Sequence, residues 1–187
     1  MIDMQSLDKK EIYKLMSTYI IPRPIAWIVT QNEEGVINVA PFSYFAPLSS
    51  TPPALVVSIG HKADGSPKDT LANIRKSKKA TICMVTEELL EKMHYSSKPL
   101  DSSKSEADTF DIAMVEKVES FPPMVEGVNT AFFCEFNQEV VLEGSPTIPV
   151  ILEIKHSYVD ETPQNPISRV ARTYAKIGEA LEAPQIP

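Results

Sequence analysis

The sequence predicts a mainly β fold with peripheral helices: an antiparallel barrel with helices packed on its outside. Three observations predict it. Segments rich in β-branched and aromatic residues outnumber helical ones, and turn-like connections dominate over strand–helix–strand alternation. Prolines fall at segment ends, as at Pro22–Pro24, Pro52–Pro53 and Pro122–Pro123, where they mark turns and strand edges.

Taken in order, residues 6–17 read as a short helix, with Ser6 as a cap and Leu7, Ile12, Leu15 and Met16 at helical spacing. "PIAWIVT" (24–30) is a β-rich run, "QNEEG" a turn, and "VINVAPFSYF" (36–45) an alternating return strand, together a hairpin. "ALVVSIG" (54–60) is a further strand. "DTLANIRKS" reads as a helix with Leu71 and Ile74 on one face, followed by a strand over 80–85 and a helix over 87–96. Residues 97–111 are polar and read as loop. Strands are expected over 113–119, 130–143 and 150–160, and a final helix over 167–181. There is no internal repeat and no linker, so residues 1–187 are expected to form one domain.

The 187 residues are 43 % hydrophobic and 23 % charged, ordinary values for a globular chain. A net charge of −7 without a basic run argues against sequence-independent nucleic-acid binding, which draws its affinity from neutralised phosphates. The charged start "MIDMQSLDKK" is not a secretory signal, and no apolar run is long enough to span a bilayer. Cys83 and Cys134 sit in apolar strand-like segments without metal-ligand spacing, which reads as two reduced core thiols in a cytoplasmic protein. His61, His94 and His156 stand in separate contexts and read as surface or structural histidines. No nucleophilic triad or acid–base pair can be assembled.

The segment "SPKDTLANI" (66–74) carries the strongest chemical signal. Asp69 or Thr70 can cap the helix that follows. Lys68 is out of place there, because a helix N-terminus prefers negative charge by about 0.3–1 kcal/mol. Its position becomes sensible if an anion sits between the ammonium and the free amides, with the Thr70 hydroxyl as a further donor. Upstream, Arg23 is held between two prolines and suits a bidentate grip on phosphate. Ser43 and Ser58 lie among the aromatics Phe42, Tyr44 and Phe45, a surface suited to a flat ring, although core packing is expected for at least two of the three aromatics.

The combination "RPIAWIVT", "NVAPFSYF", "PPALVVSIG" and "KDTLANI", with "PISRVARTY" near the end, resembles the flavin reductase-like, FMN-binding split-barrel family. That family includes flavoredoxin and the reductase components of two-component monooxygenases. The resemblance covers most of residues 20–175. It implies an antiparallel Greek-key split barrel, a homodimer, and non-covalent FMN near the subunit interface. By position it assigns Lys68, Asp69 and Thr70 to the phosphate side, Asp69 organising the helix end while Lys68 and Thr70 face the phosphate. It assigns Ser43, Tyr44, Phe45 and Ser58 to the ring side, Arg23 to a second phosphate contact, and Arg169 and Tyr174 to a slot over the ring. His156 lies on a strand that often carries a histidine in the family.

Val170, Ala171 and Arg172 stand where the family commonly has leucine–glycine–glycine, and Met114 stands where a glycine is frequent. The function implied is an NAD(P)H-dependent flavin reductase that passes electrons through bound FMN to a partner monooxygenase or another acceptor. Two alternatives stand beside it. One is a flavoredoxin-like electron carrier without a nicotinamide site. The other is a non-enzymatic barrel that holds flavin or another phosphorylated heterocycle, or haem.

Overall fold

"AWIVT" shows no polar alternation because its strand is covered on both faces. Trp27 and Val29 point into one apolar cluster and Ala26 and Ile28 into another, all fully buried. The computed structural model in which this is seen describes residues 1–161 and 165–183. Its strands are β1 (Arg23–Pro24), β2 (Ala26–Gln31), β3 (Ile37–Phe42), β4 (Phe45–Ser50), β5 (Pro53–Gly60), β6 (Lys79–Met84), β7 (Met114–Val115), β8 (Met124–Val125), β9 (Thr130–Glu139), β10 (Thr147–Val159), β11 (Ile167–Val170) and β12 (Thr173–Lys176). The helices are α1 (Lys9–Tyr19), α2 (Asp69–Ser77), α3 (Leu90–Tyr95) and α4 (Glu106–Thr109).

Seven strands form one antiparallel sheet in the order β3-β2-β6-β9-β10-β5-β4. Ile28, Ile82, Cys134, Leu152 and Val57 share a cluster although they come from opposite halves of this sheet, so the sheet is rolled upon itself. Its edges β3 and β4 do not pair with each other, which makes it a split barrel. Leu71 and Ile74 of α2, both fully buried, complete that inner cluster, as their spacing predicts. The outer cluster is built on Trp27, Cys83 and Phe133 and is roofed by Met93, Ala107, Ile112 and Met124 from the long connection between β6 and β9. Both thiols are buried and free, and burial pushes each up to about 12, so neither is a ready nucleophile.

Several expectations are corrected. Helix α1 is capped by Asp8 and not by Ser6: the Asp8 carboxylate accepts the Lys10 and Glu11 amides, and the Glu11 side chain accepts the Asp8 amide, a capping box. The alternation read over 36–45 stops at Phe42, and the chain bends before β4, a strand that sequence reading missed. The polar stretch 97–111 contains the short helix α4. The strand read over 113–119 is only the two-residue β7, and that read over 130–143 ends at Glu139.

The largest correction is the tail. Residues 167–181 hold no helix; β11 and β12 form a hairpin whose inner strand pairs with β1, giving a three-stranded sheet β1-β11-β12. Ile167, Val170, Ala171 and Tyr174 fall at helical spacing, which explains the expectation. The free edge of β1 and the bond from the Ile167 amide to the Val85 carbonyl (2.9 Å) decide for the strand.

The hairpin turns through Ala171 and Arg172, and Ala171 takes φ +47°. A side chain at positive φ costs about 1 kcal/mol relative to glycine. Ala171→Gly is therefore expected to raise stability by up to about 1 kcal/mol, less what glycine loses in the unfolded chain. A urea unfolding curve measures it, and a lower midpoint for the variant would refute the strain.

Candidate functional site

The first turn of α2 opens into a cleft. Lys68 is the N-cap residue by backbone position, and no side chain caps the helix. The cap role expected of Asp69 is thus not taken: Asp69 lies within the first turn and its carboxylate accepts from Lys62 Nζ at 2.7 Å. The cause is register. The helix begins one residue earlier than an Asp69 cap requires, so the Asp69 side chain cannot reach back to the following amides. Lys68, Asp69 and Thr70 of this uncapped start line a cavity of about 500 Å³ together with Asn38, Phe42, Lys62 and Glu106 among others. Lys68 Nζ stands 5.6 Å from the Phe42 ring centroid. Thr70 is 2 % exposed, and its Oγ1 accepts from Asn38 Nδ2 at 2.9 Å.

A smaller compartment of about 190 Å³ adjoins this cavity through the shared walls Pro41, Phe42 and Ser97, and is lined by Ser43, His94, Arg169 and Tyr174. The Arg169 guanidinium lies 4.6 Å from the Tyr174 ring centroid and has no carboxylate within ion-pair distance among the described residues. Tyr174 Oη is 2.8 Å from His94 Nδ1, with the two rings edge to face at 5.8 Å. One end of the cleft therefore offers a helix N-terminus with lysines, and the other a free guanidinium with an aromatic ring.

Six of the sequence-predicted residues meet here: Ser43, Lys68, Asp69, Thr70, Arg169 and Tyr174. The others do not. Arg23 is 6 % exposed and spends its guanidinium on the end of α1, donating to the Ser17 carbonyl at 2.6 Å and the Ile20 carbonyl at 3.0 Å. Its Nε also donates to Ser43 Oγ at 3.4 Å, and with Ser43, Tyr44 and Phe45 it lines an apolar pocket of about 370 Å³ whose walls do not include Lys68. Phe42 and Phe45 pack on the barrel cluster, as expected for two of the three aromatics. Tyr44 instead stacks on Tyr13 at 6.1 Å. Ser58 on β5 donates its amide to the Tyr44 carbonyl at 2.8 Å and lines neither compartment. His156 stands edge-on to Phe121 at 5.7 Å, outside the cleft.

Sequence reading missed Asn38, Lys62, His94 and Glu106. No local pattern marks the first two, and His94 reads as a surface histidine until the tail hairpin brings Tyr174 to it. Glu106 sits in a stretch read as loop, yet it is 6 % exposed and accepts the Val39 amide at 3.0 Å, pairing a donor of edge strand β3.

Burial raises the Glu106 carboxyl above the ordinary carboxylate range, and the neighbouring Asp69 charge adds to it; the Val39 amide and Lys62 pull the other way. A carboxyl raised in the folded state contributes stability in full below its unfolded value, and that contribution is lost as pH rises through the folded one. Glu106→Gln keeps an acceptor for Val39 but does not titrate. The variant is expected to gain thermal stability over the parent chain as pH goes from about 4 to neutrality. Melting curves across that range measure the difference, and a constant gap would mean that Glu106 does not titrate abnormally.

The profile of the flavin reductase like domain matches residues 16–178. An uncharacterized protein of Halalkalibacterium halodurans is 32 % identical over 99 % of this chain and 97 % of its own. The crystal structure of nitrilotriacetate monooxygenase component B from Bacillus cereus superposes with a TM-score of 0.91 at 29 % identity, covering 98 % of each chain. The 2-nitrobenzoate 2-nitroreductase NbaA of Pseudomonas fluorescens shares the fold, with a TM-score of 0.89 at 24 % identity over 100 % of this chain and 96 % of that one. With its rolled antiparallel sheet and a profile match over nearly its whole length, the chain belongs to the flavin reductase-like family.

Proposed function

We propose that the chain is an FMN-binding oxidoreductase, an NAD(P)H-dependent flavin reductase of one domain that works as a homodimer. The observation that carries this reading is the uncapped start of α2, which opens into the cleft beside Lys68 and Thr70. A cation, a hydroxyl and free helix amides on one wall fit a phosphate monoester. The apolar and hydroxyl surface running from Phe42 to Ser43 fits the sugar-like chain and flat ring that follow.

A flavin, when bound, supplies the redox chemistry, drawing electrons from a reduced nicotinamide and yielding them to an acceptor. The protein's part is placement and field. Lys68 neutralises the phosphate while Thr70 and the α2 amides donate to it. Phe42, a wall of both compartments, lies between the phosphate end and the ring end. Arg169, without a carboxylate at ion-pair distance among the described residues, would offer positive charge to a flavin ring held at that end.

Apolar side chains that face solvent on and after α1 (Tyr13, Tyr19, Ile20 and Ile21), with Leu48 on edge strand β4, support a self-associating face. The likeness to a monooxygenase component B supports a partner oxygenase as acceptor. Two buried free thiols suit the reducing cytoplasm, and no helix among the described residues is long and apolar enough to cross a membrane.

Titration of the apo chain with FMN and riboflavin, followed by anaerobic NADH and NADPH, tests the reading. FMN is expected to bind more tightly, and Lys68→Ala with Thr70→Ala to weaken FMN at least about tenfold while leaving riboflavin within about threefold, because riboflavin has no phosphate. Bleaching of the flavin absorbance identifies the donor. Tight FMN binding without bleaching would make the chain an electron carrier, and no binding would remove the flavin reading.

A further inference from the structure

We propose that Asn38 is a positioning residue of the phosphate end, its amide fixing the Thr70 hydroxyl so that the hydroxyl proton is aimed into the cleft. The inference rests on the flavin reading above. Asn38 stands on β3, is 8 % exposed and lines the large cavity. Its Nδ2 donates to Thr70 Oγ1 at 2.9 Å and to Thr30 Oγ1 at 3.3 Å, which uses both amide protons.

Thr30, on β2 and fully buried, also accepts from Asn73 Nδ2 of α2 at 3.2 Å. Asn38 is thereby anchored on the side remote from the cleft, by a node joining β2, β3 and α2. Thr70 Oγ1 accepts on that side and keeps one proton to donate. That proton has no acceptor among the hydrogen bonds of the described residues, and the remaining direction is the cavity that Thr70 lines. A hydroxyl with one lone pair held by a buried donor has its proton turned away from that donor, into one of the two remaining staggered positions, whereas a free hydroxyl rotates through all three. Aimed at a phosphate oxygen, it makes a charge-assisted bond with no loss from misdirection. Asn38 touches the ligand's phosphate through Thr70 and not directly.

The test is the ratio of riboflavin to FMN dissociation constants, read by flavin fluorescence on the apo chain and on Asn38→Ala, Thr70→Val and the double variant. Asn38→Ala is expected to lower the preference for FMN about tenfold, Thr70→Val by a similar factor, and the double variant no further than either alone. Asn38→Asp is a second probe should Asn38→Ala fail to fold. Its carboxylate takes the Thr70 proton inward, and the FMN preference should fall at least as far. If Thr70→Val lowers the ratio and neither Asn38 variant does, the proposal is overturned while the flavin reading stands. Equal weakening of FMN and riboflavin would leave Asn38 a purely structural role and overturn it too. A parent chain with no FMN preference would overturn the reading and the inference together.

Discussion

Thr30 is a polar residue with no exposure that follows the four buried apolar residues Ala26 to Val29 of β2, and the geometry of the cleft depends on how it is satisfied. A hydroxyl left unpaired there would cost about 1–3 kcal/mol. Two asparagine amides meet it, Asn38 from the neighbouring strand and Asn73 from α2. The helix is thus pinned to the β2–β3 hairpin by directional bonds in addition to the apolar packing of Leu71 and Ile74. Packing alone allows a helix to slide or roll. Hydrogen bonds at two defined angles do not, and they set where the first turn of α2 points.

On the proposed reading, that orientation explains how a chain with a net charge of −7 would hold an anion. Near the α2 start the field comes from Lys62, Lys68 and the helix amides, set against Asp69 and Glu106. Lys62 is engaged with Asp69, and the Glu106 carboxylate is taken up by the Val39 amide. Lys68 therefore keeps most of its charge for a ligand, its ammonium lying over the Phe42 ring rather than against a carboxylate. The local balance differs in sign from the whole because protein fields over a few ångströms are set by neighbours, and the distant acidic residues are screened.

The sequence was most legible where local signals agreed with the fold. Helix α2 runs over the residues its pattern marks, and the buried pair Leu71 and Ile74 follows from spacing. It was least legible where one residue of register or a distant strand decides. Asp69 looks like a cap, but the helix starts a residue too early for it. Arg23 looks like a phosphate grip, but the end of α1 folds back on it and takes its Nη1 donors while Ser43 meets its Nε, contacts no local pattern records. The tail has helical spacing and still forms strands, because β1 offers it an unpaired edge. Asn38 was invisible for the same reason, since its importance lies in Thr30, Thr70 and Asn73, which the fold alone assembles.

The two ends of the cleft are built to different tolerances. The α2 end is set by bonds within a buried network that ties two strands to a helix, so its geometry moves only if the barrel does. The other end is carried by a short hairpin whose outer strand β12 has a free edge among the described residues. Contacts at the surface help to hold β12: Tyr174 to His94, and Lys176 to Glu87. Exposed bonds of this kind contribute little stability each, and a hairpin held by them can shift or accept substitution at small cost. Val170, Ala171 and Arg172 lie on that hairpin, the segment where this chain departs from the glycine-containing pattern it otherwise resembles. A fold arranged in this way keeps the α2 end of the cleft constant while the hairpin end is free to vary. Differences in electron donor and acceptor among chains of this architecture are then to be sought on the hairpin and on α3, not in the barrel.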